Sequence, residues 1–241
     1  MKKLYVIGIG PGGEERLTDE AKNALEESEV IVGYGPYLEY IKRYTEGKET
    51  FQTPMRGEIE RCKKAIEFAK EGKTVSIVST GDAGLYGMAG PILELGACED
   101  LDIKIIPGIT GAFSVAADLG APIMHDCCFI SLSDLLTPWD LIMKRVELAA
   151  SGDFVICIYN PKSRGRQDHL EEAIDMIIRH KSPETPVGVV KNSGREGTEI
   201  CVTSLGSLNY ENIDMKTLLI VGNKATYVEN GYMITPRGYN I

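Results

Sequence analysis

Five short apolar runs in this chain each break off into a loop of Gly, Pro, Thr or Asn. That recurrence constrains the fold more than any other feature. Leu4–Ile7 runs into the loop 8–13, Thr74–Val78 into 79–87, Asp102–Ile106 into 107–111, Phe154–Tyr159 into 159–166, and Pro186–Val190 into 191–195. The runs are rich in β-branched residues, as strands buried on both faces of a parallel sheet are. Helical patterns lie between them. Thr18 reads as an N-cap with Ala21–Glu27 as the helix body. From Ile59 to Lys70 the apolar positions Ile59, Cys62, Ile66 and Ala69 recur at helical spacing, with Arg61, Lys63, Lys64, Glu67 and Lys70 on solvated faces. Met88–Leu95 and Ala112–Leu119 follow. Alternation of strand and helix up to about residue 120 predicts an α/β fold with a parallel sheet and helical crossovers. In such sheets ligands bind beyond the carboxyl ends of the strands, where these loops fall.

After Gly120-Ala121-Pro122 the texture changes. A strand begins near Phe129, Pro138-Trp139-Asp140 introduces a helix that ends near Ala150, Leu170–Ile178 is helical, and Thr217–Val221 is a further strand. The expectation is two domains, 1–120 and 121–241. No Ser/Pro-rich linker separates them, no repeat is visible, and 241 residues suffice for either one large or two smaller cores. The net charge of -9 argues against a broad nucleic-acid surface, which needs clustered excess cation. No apolar run approaches the roughly 20 residues of a membrane span, and Met1-Lys2-Lys3 leads directly into a strand pattern. A cytoplasmic protein is expected. The six cysteines, Cys62, Cys98, Cys127, Cys128, Cys157 and Cys201, contain no CxxC pair, so no metal site is expected and a disulfide framework is not. Cys157 reads as a buried thiol, and Cys127 and Cys128 as pointing to opposite faces of one strand.

Two glycine loops carry the chemistry. In Ser79-Thr80-Gly81-Asp82-Ala83-Gly84-Leu85-Tyr86-Gly87 three glycines allow close backbone approach to a ligand, and Asp82 between two of them can accept hydrogen bonds. Gly8, Gly10 and Gly13 satisfy G-x-G-x-x-G, the dinucleotide fingerprint. Pro11, however, removes an N–H that a pyrophosphate would need, and the second strand ends in Gly33-Tyr34 without a ribose-binding acid. This loop reads instead as a tight approach to another ligand or another loop.

Gly8-Ile9-Gly10-Pro11-Gly12, Thr80-Gly81-Asp82, Pro107-Gly108-Ile109-Thr110 and Pro122-x-x-His125-Asp126 occur in the order and spacing of the tetrapyrrole methylases, and the chain resembles that family over nearly its whole length. Ser131–Trp139, Tyr159–Arg164 and Thr235–Tyr239 resemble the branch that methylates carbon 17 of a precorrin-3B or cobalt-precorrin-3 intermediate, with ring contraction, in cobalamin synthesis. The resemblance implies two packed αβα domains with the active site in the cleft between them, S-adenosylmethionine as methyl donor, a corrinoid substrate and a homodimer. Carried over position by position, the cofactor contacts are Pro11, Thr80, Gly81, Asp82, Leu85, Thr110, Gly111 and Asn160. Gly111 stands where the family usually has Ala. Asn192 and Ser193 are added from the last loop.

Methyl transfer needs in-line approach more than acid–base help, and holding two reactants in that geometry contributes on the order of 7–11 kcal/mol. Ring contraction does move protons. His125, oriented by Asp126, Ser131 and Lys162 are the catalytic candidates. Ser133, Asp134, Arg164, Arg166 and Arg237 are the substrate candidates, the cationic loop at 162–166 being suited to the carboxylates of a corrinoid. Three alternatives remain: a sister enzyme methylating another corrin carbon, a dinucleotide-dependent oxidoreductase, and a non-catalytic binding module. More distant relatives of the fold modify RNA, which the acidic charge disfavours.

Overall fold

The structure is a computed structural model that describes residues 3–96, 100–163 and 165–240. Cys98 and Arg164 lie outside them. The described chain divides into two compact units, one ending at Gly111 and the other beginning at Ala112.

The first unit runs β1 (Lys3–Gly8), α1 (Asp19–Glu27), β2 (Val30–Tyr34), α2 (Gly35–Leu38), α3 (Lys42–Thr45), β3 (Glu49–Thr53), α4 (Glu58–Lys70), β4 (Val75–Ser79), α5 (Ala89–Gly96), β5 (Asp102–Ile106). Its sheet has the order β3-β2-β4-β1-β5, and every pairing is parallel. Alternate residues of the strands feed two cores. Leu4, Val6, Val30, Val32, Val75 and Ile77 pack with α4 and α5, while Tyr5, Ile7, Ile31 and Val78 pack with α1 and Ile41. Each such aliphatic side chain contributes about 1.5–3 kcal/mol on burial. Thr18 caps α1, accepting a hydrogen bond from Ala21 N at 3.1 Å. Of the α4 residues expected on solvated faces, Arg61 is 5% exposed. Its guanidinium donates to Thr53 Oγ1 at 2.6 Å and to Pro54 O at 3.2 Å. Ile59, expected in the core, is half exposed. The helical period is right, but the face toward the β3–α4 turn is filled by a cation.

The second unit runs α6 (Gly111–Leu119), β6 (Gly120–Ala121), β7 (Cys127–Ser131), α7 (Trp139–Ser151), β8 (Val155–Tyr159), α8 (His169–Ile178), β9 (Pro186–Lys191), β10 (Glu199–Ser204), β11 (Thr217–Val221), β12 (Tyr227–Glu229) and β13 (Tyr232–Ile234). Its main sheet has the order β10-β9-β11-β8-β7. Only β7 and β8 are parallel there, and β8, β11, β9 and β10 pair antiparallel. The division between the compact units lies between Gly111 and Ala112, at the first residue of α6. The reason is packing: Ala112, Val115, Ala116 and Leu119 of α6 share a core with Val155, Cys157, Val190, Leu218 and Ile220 of the second sheet. Beyond β11 the chain adds β13, which pairs with β12 and β6.

Cys127 and Cys128 do face opposite sides of β7, one toward the α6 core and the other toward the α7–α8 core. Burial pushes the thiols of Cys62 and Cys128 up to about 11, and that of Cys157 higher still. Cys201 on the edge strand β10 is exposed. Maleimide at neutral pH is therefore expected to label Cys201 in the native protein and to reach Cys62 and Cys157 only on unfolding. Mass mapping showing Cys157 labelled as fast as Cys201 would contradict this burial.

Candidate functional site

In the first unit the loops after β1, β4 and β5 meet at the carboxyl edge of the sheet, backbone against backbone. Gly10 N donates to Gly81 O at 3.0 Å, and Gly81 N returns a bond to Gly10 O at 2.7 Å. The first glycine loop thus makes its tight approach to another loop, as one of its two readings requires. Gly108 completes the junction. A Cβ there would lie 2.3 Å from Gly81 O and 2.5 Å from Gly8 O. One on Gly8 would lie 2.7 Å from both Gly108 N and Gly81 O. Gly10 and Gly81 have φ of 71° and 68°, a region that L side chains rarely adopt.

Asp82 ties this junction together. Its Oδ1 accepts from Gly84 N at 2.8 Å and its Oδ2 from Gly108 N at 3.0 Å. Each oxygen keeps a further lone pair, so the carboxylate braces two loops and still has acceptors for a ligand hydroxyl or amine. Pro11, Thr80, Gly81, Asp82, Leu85, Thr110 and Gly111 all belong to the loops gathered here or to their immediate continuation into α6. The donor set, backbone groups with two hydroxyls and one carboxylate, fits an amino-acid end and a ribose.

In the second unit the parallel pair β7–β8 ends in Ser131 and Tyr159, and the loops that follow are cross-linked. Asn160, with φ of 51°, donates from Nδ2 to Ser131 Oγ at 2.9 Å, and Ser133 N donates to the same oxygen at 3.2 Å. With both lone pairs engaged, Ser131 has only its O–H left to offer, which suits a donor rather than a base. Tyr159 Oη accepts from Ala112 N at 2.8 Å, near the start of α6. Ser193 reaches α6 as well, donating to Asp118 and meeting Ser114 Oγ at 2.6 Å. Its hydroxyl therefore anchors the 191–195 loop to the helix. Asn192 stands at φ of 53° and bonds Gly197 O at 3.3 Å.

The remaining candidates scatter. His125 Nδ1 accepts from the backbone N–H of Asp126 at 2.8 Å, and the Asp126 carboxylate lies 3.6 Å from that same nitrogen. In this arrangement Nδ1 acts as the acceptor of its neighbour's backbone N–H. Both side chains are exposed. Lys162 Nζ donates to Tyr210 O at 2.9 Å. Arg166 turns inward, donating to Leu132 O at 3.0 Å and Ser163 Oγ at 3.1 Å. Both cations hold loops of their own unit in place. Arg237 is exposed beyond β13, and Arg164 is outside the described residues. In the last loop, Lys191 Nζ donates to the Asp214 carboxylate at 3.0 Å, and that bond holds the lysine above its ordinary pKa.

One functional candidate has no counterpart in the sequence reading. His169 opens α8 with its ring 4.1 Å from that of Trp139, and its Nε2 is 3.3 Å from Asp134 Oδ2. Arg166 Nε lies 3.8 Å from the other oxygen of the same carboxylate. Asp134 and Trp139 come from the 131–139 segment and His169 from the start of α8, and no spacing rule connects the histidine to the other two.

Residues 3–209 match the family described as Tetrapyrrole (Corrin/Porphyrin) Methylases. A probable cobalt-factor III C(17)-methyltransferase of Salmonella typhimurium is 53% identical over 99% of this chain and 100% of its own length. A precorrin-3B C(17)-methyltransferase of a Sinorhizobium species is 35% identical over 98% of this chain and 96% of its own. Among solved structures, that of the methyltransferase CobJ superposes with a TM-score of 0.91 at 36% identity, covering 97% of this chain and 99% of that one.

Proposed function

The chain belongs to the tetrapyrrole (corrin/porphyrin) methylases, and from that premise we propose that it methylates carbon 17 of cobalt-factor III with S-adenosylmethionine as donor. The observation that carries this reading is the end-to-end match, at 53% identity, to a protein named for that reaction. The match to a precorrin-3B enzyme is weaker, at 35%, which favours a substrate that already contains cobalt. When bound, S-adenosylmethionine supplies the electrophilic methyl group. The residues of the first unit hold and orient it. The Gly10–Gly81–Gly108 junction fixes the wall, Thr80 and Thr110 offer hydroxyls, and Asp82 offers its free lone pairs. In the second unit Asn160 positions Ser131, whose O–H meets an acceptor on the corrinoid. Asn192 is a further donor candidate from its own loop.

Among the described residues no helix is long and apolar enough to cross a membrane. A cytoplasmic homodimer is part of the proposal, and sedimentation at micromolar concentration checks the oligomer.

The test is incubation with cobalt-factor III and methyl-labelled donor. Incorporation of one label at carbon 17, located by NMR, is the expected result, and metal-free precorrin-3B should react more slowly. A label at another ring carbon would assign the chain to a sister enzyme. Calorimetry separates the remaining class: S-adenosylhomocysteine should bind and NAD should not, because Pro11 deletes a donor and no acid follows β2.

A further inference from the structure

His169 and Asp134 form a polar pair in the second unit that the functional reading leaves unused. The imidazole is 82% buried, its side chain being 18% exposed, and Nε2 is wholly covered without a hydrogen-bond partner among the described residues. A buried polar nitrogen without a partner is costly, so its retention needs a reason. The nearest acceptor is Asp134 Oδ2 at 3.3 Å, close enough for an ion pair but off the line of a hydrogen bond. The imidazole itself is fixed. It lies against Trp139, whose Nε1 donates to Glu172 Oε2 at 2.9 Å. Asp134 is the movable partner, 41% exposed at its side chain, with Arg166 Nε 3.8 Å from Oδ1 on its other side. It sits three residues beyond Ser131, at the carboxyl end of the parallel pair β7–β8.

We propose that His169 is a positioning residue whose Nε2–H holds the Asp134 carboxylate for a hydrogen-bond donor of the tetrapyrrole. This rests on the reading of the chain as a corrin-ring methyltransferase. A small rotation of the carboxylate brings Oδ2 into line with Nε2–H, while Arg166 keeps Oδ1 within range. The groups facing the pair are Arg166 from the preceding loop, Trp139 from α7 and, through Trp139, Glu172 of α8. A carboxylate presented to a polyanionic substrate repels its peripheral acids. It therefore selects for a donor on the ring, complementing the O–H of Ser131, which seeks an acceptor.

Two substitutions separate this role from simple packing. His169→Gln keeps a terminal N–H donor and loses the ring, whereas His169→Phe keeps the ring on Trp139 and loses the donor. Positioning predicts that His169→Gln stays within about threefold of wild type in kcat/KM for cobalt-factor III. His169→Phe should fall by about tenfold or more, as for one hydrogen bond to a charged group. Affinity for S-adenosylhomocysteine, read by calorimetry, should be the same in both. A packing role predicts the reverse order, with Phe tolerated and Gln poor, and that result overturns the proposal. A readout independent of turnover distinguishes its failure from failure of the functional reading. The imidazole NMR resonances of His169 should move in Asp134→Asn and stay in place in Asp140→Asn, an exposed acid beside Trp139. Unmoved resonances in Asp134→Asn overturn the pairing whether or not the wild type methylates cobalt-factor III.

Discussion

Gly108→Ala is expected to abolish measurable S-adenosylhomocysteine binding and to lower stability by about 3 kcal/mol, the upper part of the range for overpacking. The added Cβ would lie 2.3 Å from Gly81 O and 2.5 Å from Gly8 O, distances that no carbon–oxygen contact tolerates. Both obstacles are main-chain atoms of central strands or their loops, so no side chain can rotate to make room. Either β5 moves away from β1, or the loop 79–87 shifts and the reciprocal Gly10–Gly81 bonds break. Gly90→Ala is the control. Gly90 is exposed in α5, a Cβ there meets nothing within 4 Å, and the change should be neutral or stabilise by about 0.5 kcal/mol. Urea unfolding and calorimetry read both variants. Unchanged midpoint and affinity in Gly108→Ala would mean that the three loops do not meet as described.

Asp82→Ala should have the next largest effect, and on two quantities at once. The sequence alone suggests a ligand-facing acid whose removal weakens cofactor binding and leaves the fold intact. The bonds to Gly84 N and Gly108 N add a structural role. Without the carboxylate two backbone donors lose their acceptor, at about 1–2 kcal/mol in this partly exposed setting. The loop after β5 also loses its tie to the loop after β4. Affinity for S-adenosylhomocysteine should fall at least tenfold, or about 1.4 kcal/mol. Asp82→Asn should lie between, since its amide offers one acceptor oxygen where two are needed. A variant that binds tenfold more weakly with an unchanged unfolding midpoint would restore the simpler role of ligand contact alone.

How far residues alone reveal this molecule depends on what kind of interaction is in question. The buried strands β1, β2, β4, β8, β9 and β11 are apolar enough to stand out. The edge strands β3 and β10 do not. Glu49-Thr50-Phe51-Gln52-Thr53 and Glu199–Ser204 pair on one side only and carry polar or exposed side chains, so their sequence lacks the buried-run signal. Periodicity identified the α4 helix but not that Arg61 would be drawn inward by Thr53 and Pro54, because that bond depends on where the β3–α4 turn lies. The glycine loops were legible because close backbone approach demands glycine itself. Which backbone they approach was not. In the second unit, charge density directed attention to Lys162 and Arg166, whose cations bind carbonyls of their own unit. His169 escaped notice because Trp139 and Asp134, which give it meaning, lie 30 and 35 positions earlier in the chain.

The junction of Gly10, Gly81 and Gly108 has a thermodynamic consequence of its own. A wall made of main chain has no rotamers to freeze when a ligand arrives, so association loses little conformational entropy on the protein side. The same wall has few side chains through which mutation can retune it. On the proposed reading, discrimination between related acceptors then falls to side chains elsewhere, such as those of Ser131, Asp134 and His169. A lineage built on this plan can change what it methylates while its grip on the donor stays as it was.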